Sequence, residues 1–373
     1  MSNPAVLRGI AWNHSRALPP LVATAQRYEE LHPAVEIRWE KRTLHEFGHV
    51  RLTPLARDYD LLIVDHPMMG EAYATRTLID LADLVPVPAS VGPSFESYRY
   101  EGTLFAVPVD AAAPGASYSA GLFASANGLP RLWPDVLDLA RDGKVVMPGF
   151  HADLFLNLVA FCVSRGSPVA EGDELFKEEI ALRSLEDLGE LASYIPPAIF
   201  DWNPIGLYEE LSSGAVSAYC PFAYTYSNYS REGFAARHIL FDNPVDLEPG
   251  VPLRTVLGGT GIAISTRCPA IDIAIDYARY VASAECQRTL YGLSGGQPAC
   301  REAWVDDTLN AVTRNFFRRT LASLDHAYVR PRYNGYIELQ AGAGLPIQKY
   351  LREGGSARAV LDEMNRLYRK SRR

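Results

Sequence analysis

The chain has 373 residues, 48% hydrophobic and 21% charged, the proportions of a soluble globular protein with enough apolar side chains for two cores. Its net charge of −8 disfavours nucleic acid or an anionic membrane as main partner, since both demand a concentrated basic surface. No stretch reaches the roughly 20 apolar residues of a membrane span, and Cys162, Cys220, Cys268, Cys286 and Cys300 are too scattered for a disulfide scaffold or a zinc ribbon.

The amino terminus, MSNPAVLRG, shows no basic segment leading into an apolar one. No signal peptide is visible, and the compartment stays open between a cytosolic chain and an exported one. Residues 5–11 read as a strand, and 18–31 as a helix with Leu18, Leu21, Val22, Ala25, Tyr28 and Leu31 on one face. A strand at 35–39, a helix at 44–57 and a fully apolar strand at 59–64 continue an alternation that predicts βαβ units and a parallel sheet. Residues 98–108 predict a strand pair turning at Glu101-Gly102, and 129–143 a helix ending at Gly143. A strand at 144–147, a strongly apolar helix at 152–163, short strands at 215–219 and 238–241, and a Gly-rich strand at 256–265 follow. Helices are expected at 271–282, 284–291, 306–321, 337–351 and 356–369. The last carries Arg366, Arg369 and Lys370, charges that complement a helix C-terminus.

Three stretches give this order a family likeness. YEGTLFAVPVDAAAPGASYSAGLFASANGLPRLWPDVLDLA carries a Gly-turn, an aromatic-x-x-Pro, a Tyr-bearing strand and Pro-x-x-Trp; VLGGTGIAIST sets Gly-Gly before an apolar run; ELSSGAVSAYC carries a Ser-Gly-x-x-Ala strand entry. In these the chain resembles the extracellular solute-binding proteins of ABC transporters, family 1/8-like, the group of the maltose-type sugar binders. The resemblance implies an α/β, two-lobed type II periplasmic-binding-protein fold. Each lobe would be a mainly parallel sheet flanked by helices, joined by crossover hinge strands near residues 110, 260 and 322. One lobe would comprise 1–110 and 261–322, the other 111–260 and 323–373. It further implies a monomeric, non-enzymatic chain without cofactor. Such a chain captures a small polar solute, a carbohydrate or polyol, and delivers it to ABC permease subunits from the periplasm or another extracytoplasmic site, with a cytoplasmic variant as alternative.

In an open parallel sheet, ligands bind beyond the carboxyl ends of the strands. That rule nominates Trp12, Asn13 and His14 after the first strand, Arg42 after the second, and Asp65 and His66 after the third. Trp offers a flat face, Asn a donor and an acceptor, Asp an acceptor, and Arg a bidentate grip on an anion. Trp12 could equally be a core residue, and His14 could cap the next helix with Ser15. Further candidates are Asp110 and Tyr118 about the first crossover, and Trp202, Tyr219 and Tyr224 in the second lobe. Gly259 and Thr260 on the return strand and Arg332 in RPRYNGY complete the set. The glycines would serve either close ligand approach or hinge packing. A cluster of Arg42, His14 and His66 would favour a carboxylated ligand instead.

A rival reading comes from HEFGH at 45–49, which formally matches the zinc-peptidase pattern: His45 and His49 as ligands, Glu46 as base, Glu71 as third ligand. Only three positions are fixed, so the pattern arises by chance in long chains. No GxSxG, GxxxxGK[ST] or strand-following GxGxxG is present, and no helix-turn-helix suggests a DNA-reading sensor.

Overall fold

Alternating and fully apolar runs at the start of the chain become three neighbouring parallel strands. The computed structural model describes residues 4–43, 46, 51–85, 89–123 and 128–372. β1 (Ala5–Trp12) pairs in parallel with both β2 (Val35–Arg42) and β3 (Leu61–Val64). The crossover helix α1 (Leu18–Leu31) has prolines in its first turn, where their fixed φ suits a helix start, and buries Leu21, Ala25 and Tyr28. α2 (Leu52–Asp58) precedes β3; most of the earlier part of the helix expected over 44–57 lies outside the described residues. Every residue of β3 is buried, as in a strand covered on both faces. Beyond α3 (Met69–Thr75), β4 (Arg99–Tyr100) and β5 (Thr103–Leu104) form the expected hairpin. Glu101 and Gly102 take φ of 49° and 81°, the two positive values of a type I′ turn.

β6 (Val107–Ala112) belongs to the first sheet, and the chain runs directly from it into β7 (Pro114–Ser119) of a second. That sheet is ordered β8–β7–β9, with β8 (Tyr219–Tyr224) and β9 (Ile239–Asp242) both antiparallel to β7. The ladder departs from the parallel order expected there. Among the described residues, parallel pairing with a strand of this sheet is reduced to the bridge from Val145 to Tyr219, because Pro148 and Gly149 turn the chain away before 144–147 can extend as a strand. The strand expected at 215–219 starts only at Tyr219, since Gly214, at φ 84°, still caps the preceding helix. Pro221 is tolerated in β8 because the strand is an edge and the ladder shifts register there.

Helices α4 (Trp133–Arg141), α5 (His151–Ser164), α6 (Glu178–Ser193) and α7 (Pro204–Ser213) lie between β7 and β8 in sequence. A small hairpin, β10 (Asp246–Glu248) with β11 (Val251–Pro252), precedes β12 (Gly258–Ile264). β12 returns to the first sheet and inserts antiparallel between β3 and β6, giving the order β2–β1–β3–β12–β6. The carboxyl ends of β1, β3 and β6 and the start of β12 therefore share one edge.

α8 (Ile271–Ala282) forms as expected, but 284–291 is one α-helical turn followed by a wide π-helical one over Gln287–Tyr291. The helix expected at 306–321 breaks into Asp307–Val312 and α9 (Phe316–Asp325), because Arg314 and Asn315 adopt φ of 53° and 62°. After α9 the chain passes back beside the entry to β12, where Leu257 N–H donates to the Tyr328 carbonyl at 2.8 Å. α10 (Tyr336–Glu353), packed on α5, and α11 (Ala357–Ser371) close the fold.

Candidate functional site

A cavity of about 240 Å³ opens at the shared strand edge. From the first sheet come Trp12, Asp65, Ala112, Gly258, Gly259 and Thr260. Opposite stand Phe150, Ala152, Asp153 and Leu156 at the start of α5, Asn203 and Pro204 at the start of α7, and Tyr224 and Tyr226 at and beyond the end of β8. Arg16, Arg330 and Gln340 complete the wall.

Trp12, the last residue of β1, is buried and also faces this space. Its indole stacks on the His14 imidazole (5.2 Å, 14°) and meets Tyr226 edge-on at 6.2 Å. The Arg16 guanidinium sits 5.0 Å from the Tyr226 ring centre and 5.8 Å from that of Trp12. Arg16 also grips Asp110 in bidentate fashion, Nε to Oδ2 at 2.8 Å and Nη2 to Oδ1 at 2.5 Å, and donates through Nη1 to the Thr225 carbonyl at 3.1 Å. Burial opposes the charge on Arg16, but Asp110 outweighs it and raises the guanidinium pKa further.

A second buried pair repeats this design. Arg330 Nη2 donates to both oxygens of Asp65 (2.8 and 2.6 Å), and its Nη1 to Gln340 Oε1 at 3.1 Å. Burial would lift the Asp65 carboxyl, yet Arg330 and His66 hold it down at about 2. His66 lies behind the pair; its Nε2 accepts the Arg330 backbone N–H at 3.3 Å, and burial with the nearby guanidinium lowers it to about 4. His14 is lowered to about 4 as well, by burial and then Arg16.

Two glycines let the return strand fit here. A Cβ on Gly258 would come 2.4 Å from the Tyr224 ring; one on Gly259, at φ 104°, would come 2.3 Å from the Asp110 carbonyl oxygen. Hinge packing alone thus accounts for both, although both also face the cavity. The Tyr224 hydroxyl donates to the Leu257 carbonyl at 3.3 Å, fixing the ring over Gly258. Asn203 caps α7, its Oδ1 accepting Gly206 N–H at 2.9 Å, which leaves its NH₂ as a donor.

Of the residues nominated from sequence, Trp12, Asp65, Tyr224, Gly259 and Thr260 line this one cavity. Asp110 and His66 stand directly behind it as ion-pair and hydrogen-bond partners. His14 packs under Trp12 and, rather than capping α1 through its ring, accepts the Arg16 backbone N–H on Nδ1 at 2.9 Å. Trp202 is adjacent, its carbonyl accepting the N–H groups of Gly149 and Phe150. The rest lie elsewhere. Asn13 is exposed. Arg42 is buried and donates to the Ile63 carbonyl, so it forms no anion site with His14 and His66. Tyr118 and Tyr219 are paired with one another at the far end of the second sheet. Arg332 spends Nη1 on the carbonyls of Glu96, Ser97 and Arg99. Sequence reasoning missed Arg16, Asp153, Asn203, Tyr226 and Arg330; the visible signals were an Arg four residues beyond Trp12 and an Asp-bearing first turn on an otherwise apolar helix.

His45 and His49 of the HEFGH stretch lie outside the described residues. Glu46 Oε2 accepts Thr43 N–H at 2.7 Å while Glu46 N–H donates back to Thr43 Oγ1 at 3.1 Å, the reciprocal pair of a capping box. Glu71 Oε1 accepts from Leu52 N–H at 3.0 Å and from Arg51 Nε at 3.3 Å. Among the described residues no group of three or more His, Cys, Asp or Glu is placed to hold a metal ion, and no helix is long and apolar enough to cross a membrane.

Two sheets joined by adjacent chain passes, with a small cleft of aromatic, apolar and a few polar side chains where they meet, define a two-lobed protein of the type II periplasmic-binding class. Comparison of folds supports this: the maltose-bound MalE3 of T. maritima superposes with a TM-score of 0.83 at 16% identity, covering 98% of this chain and 99% of that one. A ribitol complex of an ABC transporter solute-binding protein from Agrobacterium radiobacter gives 0.82 at 19%, covering 99% of each chain. A Thermotoga lettingae solute-binding protein with α-D-tagatose gives 0.82 at 14%, covering 99% and 100%. The chain belongs to the bacterial extracellular solute-binding protein family, whose model matches residues 23–311. It is a solute-binding protein of the ABC-importer kind. Comparison with curated proteins found no match.

Proposed function

We propose that the protein captures a small polyhydroxylated solute, a single sugar ring or a short polyol, in the cleft between Trp12 and Tyr224. The carrying observation is the composition of that cleft. Aromatic faces from Trp12, Tyr224 and Tyr226 stand among polar donors and acceptors, and both guanidiniums are already matched by carboxylates. Asn203 keeps an NH₂ free, and Arg330 Nε is a buried donor without a partner among the described residues. Hydroxyl groups, which both donate and accept, suit such a surface. A volume of about 240 Å³ falls below the roughly 300–1,000 Å³ of pockets for drug-sized ligands, which favours one ring or a short chain over an oligosaccharide. A carboxylated ligand is disfavoured, because it would compete with Asp65 or Asp110 for an arginine.

In this reading the lobes follow the division expected from sequence, 1–110 with 261–322 and 111–260 with 323–373, except that β6 through Ala112 and β12 from Gly258 stay with the first sheet and α9 packs on β9 of the second. The chain passes between them act as the hinge, and ligand touching both lobes favours the closed state. The monomer works outside the cytoplasm, performs no chemistry and hands its solute to permease subunits. The ligands named for the similar structures, maltose, ribitol and tagatose, support the solute class. A thermal-shift screen of sugars, polyols, organic acids and amino acids tests it, since any tight binder raises Tm by mass action. A hit among sugars or polyols, recovered unchanged, is expected; hits confined to organic acids would overturn the reading.

A further inference from the structure

Three carboxylates surround or back the cavity, against two guanidiniums. Asp110 is taken by Arg16 and Asp65 by Arg330. Asp153, in the first turn of α5, is left over: it lines the cavity, and its carboxylate makes no hydrogen bond or ion pair among the described residues. It stands near the phenols of Tyr224 and Tyr226, whose pKa values it helps to raise. Arg16, Arg330 and Asp65 are the other charged groups on the cavity wall, and each is already matched. The positive end of α5 favours an ionised Asp153 but supplies no counter-ion. A carboxylate in a half-enclosed, aromatic-walled space is costly unless something brings it a charge or strong donors.

We propose that the solute is an aminated one, an amino sugar or aminopolyol, whose ammonium group pairs with Asp153 while its hydroxylated remainder lies between Trp12 and Tyr224. The inference rests on the reading of this cavity as a sugar or polyol site. Burial, with no opposing charge, pushes the Asp153 carboxyl up to about 7 in the free protein. An ammonium ligand must therefore displace a proton below that pH, and a neutral polyol need not.

The test is calorimetric titration with matched pairs of a polyol and its primary alkylamine: sorbitol and 1-amino-1-deoxysorbitol, ribitol and its 1-amino analogue. At pH 8 the best amine should bind roughly 10- to 100-fold tighter than its neutral partner, the worth of a charge-assisted contact. An alkylammonium stays charged below about pH 9, so affinity for the aminopolyol should weaken about tenfold per pH unit below 7. Asp153→Asn, with a melting curve to show that it folds, should abolish the preference. Equal or tighter binding of the neutral partner by the wild-type protein overturns the inference and leaves the polyol reading standing. An amine preference that persists in Asp153→Asn, or that ignores pH between 5.5 and 7, overturns it too. If no member of any pair binds, the sugar or polyol reading itself fails.

Discussion

At the scale of single residues, the cleft is a set of charges whose partners come from distant parts of the chain. Arg16 meets Asp110 across 94 positions and Arg330 meets Asp65 across 265. Removing one member strands the other: Asp110→Asn should lower stability by roughly 3–5 kcal/mol, measured by urea unfolding, and far more than a matched apolar double replacement of Arg16 and Asp110. The titration of the cleft also has a definite sign. His14 and His66 stay neutral down to about 4 in the fold, whereas the unfolded chain takes up those protons near pH 6.5. Both therefore make stability fall as pH drops from 6.5 to 4. Asp153, raised to about 7, binds a proton in the fold before the unfolded chain does, so it opposes the fall. Asp153→Asn should steepen the loss over that window and His66→Gln should flatten it. The pairings themselves leave no local trace, which is why Arg330 was not legible and Arg16 was marked only by its place four residues beyond Trp12. Trp12 and Asp65 were, because strand ends announce themselves. Asn13 failed for an equally simple reason: β1 ends at Trp12, and the chain bends at Asn13 and leaves it exposed.

Among elements, β12 is the informative one. It is written in the sequence as a Gly-rich apolar run, and its antiparallel insertion between β3 and β6 places its first residues beside the ends of β1 and β3. Gly258→Ala must push the Tyr224 ring aside, and Gly259→Ala must also leave a left-handed φ. The first should weaken ligand binding with a modest drop in Tm; the second should cost more, lowering the unfolding free energy in urea by about 1–3 kcal/mol, the cost of a strained residue. Helix and strand periodicity made most elements readable. It failed where a proline or glycine breaks a short run, as at 144–147, and where two residues turn left-handed inside a helical pattern, as at Arg314 and Asn315. Tyr118 and Tyr219 show the limit within a strand. They pair across the sheet, and Tyr219 lies five positions from Tyr224, about 17 Å along an extended chain.

For the molecule as a whole, closure is the quantity to measure. A solute that touches both halves shifts the population toward the shut form, so X-ray scattering in saturating ligand should give a smaller radius of gyration than without it. The exposed Arg51–Glu338 contact should matter little to that balance; Glu338→Gln should change unfolding free energy by less than about 1 kcal/mol. Of the five tryptophans, Trp12 alone forms part of the cavity wall, under a cation and against an imidazole. The protein thus carries its own optical probe: when solute replaces water against that indole, emission should shift in wavelength and intensity, and Trp12→Phe should leave the remaining fluorescence nearly blind to ligand. Occupancy can then be followed in unlabelled protein, in real time, before any transporter is at hand.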